Sequence, residues 1–299
     1  MKHIVVHEVG PRDGLQMERQ VVPTDTKEDW IRRIMGSGID VVQVGSFVHP
    51  AKVPQMADTD ELVRRLAADK HSDVTLAGLA LNEKGVERGM ECGVEMFCLG
   101  ASASETHSLR NTGMTSMGAT RRIIDAGQEV LAAGKKVQVS VQSAFGCGFE
   151  GPVAEERVLE MASAYVEAGL YTISLSDTAG HAHPAQVERL FSAVRELDPQ
   201  VECVSHFHNT YGLGMANIMA ALRTGVASFE TSFAGLGGCP FTRVAAGNVA
   251  TEDCVNALQL EGLREDIDLD CLTGVAADVA AFFGRELPGC VYRAGALRK

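Results

Sequence analysis

Eight short stretches rich in β-branched and apolar residues recur along the chain, and each is followed by a run with helical spacing. This alternation limits the possible folds more than any other property of the sequence. The stretches are 3–9 (HIVVHEV), 39–47 (IDVVQVGSF), 73–80 (DVTLAGLA), 93–102 (GVEMFCLGAS), 136–145 (KVQVSVQSAF), 171–179 (YTISLSDTA), 202–208 (ECVSHFH) and 227–235 (ASFETSFAG). Helical spacing falls between them, as in TKEDWIRRIMGSG, DELVRRLAADK, EERVLEMASAYVEAG and PAQVERLFSAVREL. Pro184 stands at a first-turn position, and Gly38, Gly169 and Gly225 stand where a helix should stop. Eight strand–helix units predict an α/β fold, a (β/α)8 barrel. The rival, an open doubly wound sheet, would carry fewer strands and a G-x-G-x-x-G turn after the first of them. Here the first strand runs into GPRDG instead. The residues past about 262 exceed the eight units, and Asp268 to Arg285 reads as an extra C-terminal helix covering the barrel. No linker, repeat or low-complexity tract interrupts the 299 residues. One domain is expected, with the barrel over about 3–262 and a helical extension over about 263–299.

In such a barrel, chemistry sits where strands end and βα loops begin. The polar side chains of this chain collect there. The first unit supplies Glu8, Arg12 and Asp13, the second Gln43 and Ser46, the sixth Asp177 and the seventh His206 and His208. After the eighth come Cys239, in GLGGCPF, and Asn248 and Glu252, in AAGNVATED. Residues two apart on a strand project from one face, so His206 and His208 point the same way. They could hold a metal or could be ordinary polar residues at a strand end. Asp13 before Gly14 fits a plain turn, Asp177 and Asn248 fit helix caps, and Cys239 fits a small residue in a tight loop. What sets the group apart is its shared location. One Asp, one Asn and two His at a single rim offer two oxygens and two nitrogens. That mixed set suits Mg²⁺ or Mn²⁺ with open water positions better than a thiolate zinc centre.

Composition removes several function classes. The net charge of −12, without any basic run, argues against nucleic acid as a partner. Nothing approaches 18 consecutive apolar residues, and the start breaks into charge and Gly-Pro too early for a secretory segment. No membrane association and a cytoplasmic location are therefore expected. The eight cysteines contain no C-x-x-C pair, which fits reduced thiols better than a structural zinc site.

The motifs together resemble the 3-hydroxy-3-methylglutaryl-CoA lyase family. They are EVGPRDGLQ at the first strand, SFV-x-P-x-x-VPQMAD after the second and G-C-x-FEG near 147–151. SLSDT follows at the sixth, HFHNTYG at the seventh, and AGLGGCPF with AAGNVATED at the eighth. The similarity runs from about Val6 to Glu261. The resemblance implies a (β/α)8 barrel that cleaves 3-hydroxy-3-methylglutaryl-CoA, or a related 3-hydroxyacyl-CoA, to acetyl-CoA and a keto product. It implies Asp13, His206, His208 and Asn248 as ligands of a divalent cation, Mg²⁺ or Mn²⁺. It further implies Arg12 as the group steadying the thioester oxygen and Cys239 as the catalytic thiol. Glu8, Asp177 and Glu252 match supporting acids, with Asp177 or His206 as candidate general base. An acyl-CoA substrate and a homodimer follow from the same resemblance.

Four positions depart from the pattern of that family. Gln43 stands where a Glu is usual, Met17 and His49 replace polar or small residues, and Asn209 replaces an Asp. Four changes near one rim fit either a paralogue that prefers a different 3-hydroxyacyl-CoA or harmless drift with the family activity kept, and Gln43 is expected to face Arg12. Two alternatives share parts of the pattern. One is a condensing acyltransferase of the isopropylmalate or citramalate synthase kind. The other is a barrel that binds acyl-CoA without catalysis.

Overall fold

The computed structural model describes residues 3–70, 73–238 and 247–297. Eight parallel strands close into a barrel in chain order: β1 (Val5–Glu8), β2 (Val41–Ser46), β3 (Thr75–Leu79), β4 (Met96–Ser102), β5 (Lys136–Gln142), β6 (Thr172–Asp177), β7 (Glu202–Phe207) and β8 (Ser228–Thr231). All eight predicted strands are present, and the (β/α)8 architecture stands. Each strand is shorter than its apolar run. β5 stops at Gln142 because Ser143 turns to a φ of 55°, and β8 stops before Ala234, which has a φ of 54°. A left-handed residue cannot continue the ladder, so apolar character outlasts strand geometry at both places.

The helical layer comprises α1 (Thr24–Gly36), α2 (Thr59–Ala68), α3 (Glu83–Cys92), α4 (Glu105–Thr112), α5 (Ser116–Ala132), α6 (Glu155–Glu167), α7 (Pro184–Arg195), α8 (Gly214–Arg223) and α9 (Thr251–Leu260). Pro184 opens α7, where its missing N–H costs nothing. The apolar core lies between strands and helices, with Ile31, Ile34, Leu62, Leu66, Val130, Met161 and Val187 buried from the helix side.

The extra helix is α10 (Leu269–Phe283). Asp268 caps it by accepting from the Cys271 backbone N–H at 2.9 Å, and Gly284 ends it at a φ of 61°. It packs on α1, α9 and the turn after β8. Trp30 of α1 joins the pieces, its ring edge-on to Phe282 at 5.7 Å and to Phe233 at 6.1 Å. Beyond it, α11 (Val291–Ala294) is held by the Asp253 carboxylate, which accepts from the N–H groups of Cys290 and Val291. The extension thus braces the turn that leads into 236–238. Among the described residues no helix is long and apolar enough to cross a membrane.

Candidate active site

A cavity of about 590 Å³ opens at the C-terminal end of the barrel and reaches down between the strands. Its inner wall carries Gln43, Cys98, Gln138, Ser140, Ser176, His206 and Glu230, one polar residue after another where most barrels of this kind pack aliphatic layers.

The GPRDG segment forms a single π-type turn rather than an ordinary one. The Val9 carbonyl accepts from both the Arg12 and the Asp13 backbone N–H, at 3.1 and 2.7 Å. Turns of this wide kind recur at functional positions because they re-aim side chains. This one turns Arg12 and Asp13 into the cavity. Glycine is needed at its start for space alone, since a Cβ on Gly10 would lie 2.6 Å from Glu8 Oε1 and 2.7 Å from the Phe233 ring.

His206, at the end of β7, and His208, just beyond it, converge as their spacing implies. Their Nε2 atoms are 3.2 Å apart, and Asp13 Oδ2 lies 3.8 Å from the first and 3.6 Å from the second. All three are buried and offer one ligand atom each within a single small volume, a grouping that could hold a metal ion. The chemistry fits a cation. The His206 Nδ1 lies 3.1 Å from the Glu230 carboxylate, which can only accept, so Nδ1 carries a proton and, in the neutral ring, the Nε2 lone pair faces the cavity. An unprotonated nitrogen there repels its neighbour until something positive sits between them. Asn248 occupies the same corner, donating through Nδ2 to Asp13 Oδ2 at 2.8 Å and to the Leu236 carbonyl at 3.1 Å. Its Oδ1 is buried and has no hydrogen-bond partner. Service as a ligand requires the amide to turn so that this oxygen replaces Nδ2.

The electrostatics separate two kinds of buried acid. Burial alone would raise the Asp13 carboxyl, but the Arg12 guanidinium and the two imidazoles hold it well below the usual carboxylate range. Glu230 is likewise pushed up by burial and brought down more strongly by His206, to about 2. His208 is lowered by desolvation, whereas in His206 desolvation is outweighed by Glu230 and the group is raised.

The other sequence candidates divide. Gln43 faces Arg12 as expected, its Oε1 accepting from Arg12 Nε, while Arg12 Nη1 binds Asp13. Glu8, Asp177 and Glu252 do not line the cavity. Glu8 accepts from the N–H groups of Gly10 and Phe233, at 2.6 and 2.9 Å, and from the Thr251 hydroxyl at 2.7 Å. It clamps the ends of β1 and β8 to the start of α9. Asp177 accepts from the N–H groups of His181 and Ala182, at 2.8 and 3.2 Å, with one oxygen each. These bonds anchor the turn after β6. Glu252 accepts from the Ala234 N–H at 3.1 Å and supports the turn after β8. Burial pushes all three up, Glu8 and Asp177 to about 7 and Glu252 to about 8. Cys239 lies outside the described residues, and Gly238 just before it lines the cavity.

Of the four departures, Met17, Gln43 and His49 line the cavity. Asn209 does not, and its Oδ1 accepts from the Gly214 N–H at 2.9 Å to start α8. The sequence reading missed Glu230. It pairs in register with His206 across β7 and β8, and it accepts from Gln138 Nε2 at 2.9 Å and the Ser174 hydroxyl at 3.2 Å. Its signal was available: Phe229 belongs to the core, so Glu230 must face the opposite way, into the barrel.

Comparison with known proteins agrees with this geometry. The HMGL-like family model matches residues 3–279. The hydroxymethylglutaryl-CoA lyase of Pseudomonas mevalonii is 37% identical over 95% of this chain and 94% of its own. An (R)-citramalyl-CoA lyase of Chloroflexus aurantiacus is 35% identical over 99% and 96%. An HMG-CoA lyase of Acinetobacter baumannii, solved in complex with coenzyme A and 3-methylmalate, superposes with a TM-score of 0.92 at 38% identity, covering 99% of this chain and 97% of that one. These relatives favour a lyase over a condensing enzyme or a binding-only barrel. On sequence, fold and the arrangement of Asp13, His206 and His208 alike, the chain belongs to the HMGL-like family and is a carbon–carbon lyase.

Proposed function

We propose that this lyase cleaves the C2–C3 bond of a 3-hydroxyacyl-CoA of the 3-hydroxy-3-methylglutaryl type, releasing acetyl-CoA and a keto product. The observation carrying the reading is the convergence of Asp13, His206 and His208 beside Arg12 in one polar cavity. A divalent cation held by these residues and Asn248, Mg²⁺ or Mn²⁺, supplies the Lewis acidity that makes the 3-hydroxyl easier to deprotonate. The hydroxyl proton leaves, the oxygen becomes the new carbonyl, and the C2–C3 electron pair moves into the thioester as an enolate. The guanidinium of Arg12, anchored through Nε by Gln43 and through Nη1 by Asp13, keeps Nη2 for the developing thioester oxyanion. Of the two candidate bases, His206 would already give its Nε2 to the cation and Asp177 does not line the cavity, so the hydroxyl proton passes to solvent water. A proton returned to C2 gives acetyl-CoA, the role that the resemblance implies for Cys239. A cytoplasmic homodimer completes the proposal.

The test is a set of 3-hydroxyacyl-CoA thioesters assayed for acetyl-CoA release with Mg²⁺ or Mn²⁺. Release is expected for at least one thioester with a branched 3-hydroxy-dicarboxylic acyl group, stopping with chelator and returning with metal. Turnover that persists undiminished in excess chelator would sink the metal-dependent reading.

A further inference from the structure

The two imidazoles at the site are not held alike. The Nδ1 of His206 meets a carboxylate, whereas the Nδ1 of His208 is buried with no hydrogen-bond partner among the described residues. We propose that Glu230 is a positioning residue that fixes the tautomer and ring orientation of His206, making it the stronger of the two nitrogen ligands for the cation. The proposal rests on the metal reading above and assigns a role to a residue outside the ligand set.

The geometry points there from three sides. Glu230 is only 4% exposed, so its carboxylate is not a solvated surface charge. Gln138 Nε2 from β5 and the Ser174 hydroxyl from β6 each donate to it, fixing both oxygens before β7 is considered. The in-register pairing of His206 with Glu230 then sets Oε2 against Nδ1. A carboxylate so placed has no proton to give, so Nδ1 carries one, and in the neutral ring the Nε2 lone pair is directed at Asp13 and His208. The same carboxylate adds a negative charge behind the ring, which strengthens the imidazole as a donor to a cation. Asp13 and Glu230 against Arg12 leave the pocket one negative charge in hand before a divalent ion enters. Without Glu230 that surplus is gone.

The experiment uses the full chain. Mn²⁺ binding is measured from the free-ion EPR signal for wild type and Glu230→Gln, and imidazole ¹⁵N shifts are recorded on metal-free, His-labelled protein. The His206 resonances are assigned by their loss in His206→Asn. At a pH where His206 is neutral, wild type is expected to show it as the Nδ1–H tautomer. In Glu230→Gln, Mn²⁺ affinity should fall roughly ten- to hundredfold, the usual scale for an outer partner of a ligating His. The His206 shifts should move while those of His208 stay within a small fraction of that change. An affinity within twofold of wild type in a Glu230→Gln protein of normal melting temperature would overturn the proposal, as would a catalytic loss with unchanged Mn²⁺ binding. Should Glu230→Gln fail to fold, the wild-type spectrum decides, because a predominant Nε2–H tautomer of His206 overturns it equally. A wild type that binds no Mn²⁺ but shows the Nδ1–H tautomer would sink the metal reading while leaving the Glu230–His206 contact in place.

Discussion

Five carboxylates buried at the C-terminal half of this barrel fall into two regions, and burial does not tell them apart. Asp13 and Glu230 line the cavity and are pulled towards the ionised form. Glu8, Asp177 and Glu252 sit behind its wall and are pushed towards the protonated form. Desolvation pushes all five up. The difference is the partner: a guanidinium and imidazoles on one side, backbone N–H groups and hydroxyls on the other. A neutral dipole offsets only part of the cost of a buried charge, whereas a cation at contact distance can exceed it. The wall acids therefore hold loops in place, and the cavity acids supply charge to chemistry.

The hardest blow to that division is a neutral isostere on the cavity side. Asp13→Asn removes the charge that faces Arg12 and both imidazoles. Mn²⁺ binding should be lost at micromolar concentrations, and kcat/KM should fall by at least about a thousandfold, or about 4 kcal/mol of transition-state stabilisation. Retention of tight Mn²⁺ binding would show that Asp13 belongs with the structural acids.

The wall side is read through the pH dependence of stability. Glu252 has a folded pKa of about 8 against an ordinary value of 4.5. Between these values the folded chain keeps a proton that the unfolded chain releases. Stability from this group is therefore full below about pH 4.5 and is lost as pH rises through its folded pKa. The slope for one group cannot exceed about 1.4 kcal/mol per pH unit. Glu8 and Asp177 act with the same sign up to about 7. Asp13 and Glu230 are ionised in both states above pH 5 and contribute no slope there. Glu252→Gln should make the melting temperature of chelator-treated protein fall less steeply than wild type between pH 5 and 8. Parallel curves would mean that Glu252 is ionised within the fold, and the division would fail on that side.

Much of this division was already written in the alternation of the strands. The count of eight units fixed the barrel, and strand ends located Arg12, Asp13, Gln43, His206 and His208 at one rim. Strand parity goes further. Ser176 lines the cavity, so Asp177 next to it faces the helices, and His7 lines the lower opening, so Glu8 turns away. The same parity puts Glu230 inside. A reading by position along the strand grouped these acids together, and only parity separates them. Two features had no such signal. GPRDG looks like any tight turn, and the wide turn that aims Arg12 and Asp13 depends on Ser232 and Phe233 packing against it from just past β8. The bond between Asn248 and Asp13 joins residues 235 positions apart, beyond any local pattern.

Gln43 tests the boundary from a position where the family resemblance implies a carboxylate. Its Oε1 accepts from Arg12 Nε, and the side chain is buried at the cavity wall. A neutral amide orients the guanidinium as a carboxylate would but neutralises none of its charge. Arg12 therefore presents more positive potential to a bound acyl group, which favours a substrate with more negative character near the thioester. On this argument 3-hydroxy-3-methylglutaryl-CoA is a weak substrate of the native chain, with kcat/KM below about 10⁴ M⁻¹s⁻¹. Gln43→Glu should raise that value about threefold, since a charge-assisted bond to Arg12 is roughly twice as strong as a neutral one. This is the smallest of the expected effects, because the bond already exists and only its charge changes. Two results would defeat it. Efficient cleavage of the methylglutaryl thioester by the native chain would make Gln43 a tolerated isostere. A drop in activity for Gln43→Glu would mean that a second negative charge beside Asp13 weakens Arg12 more than it steadies it.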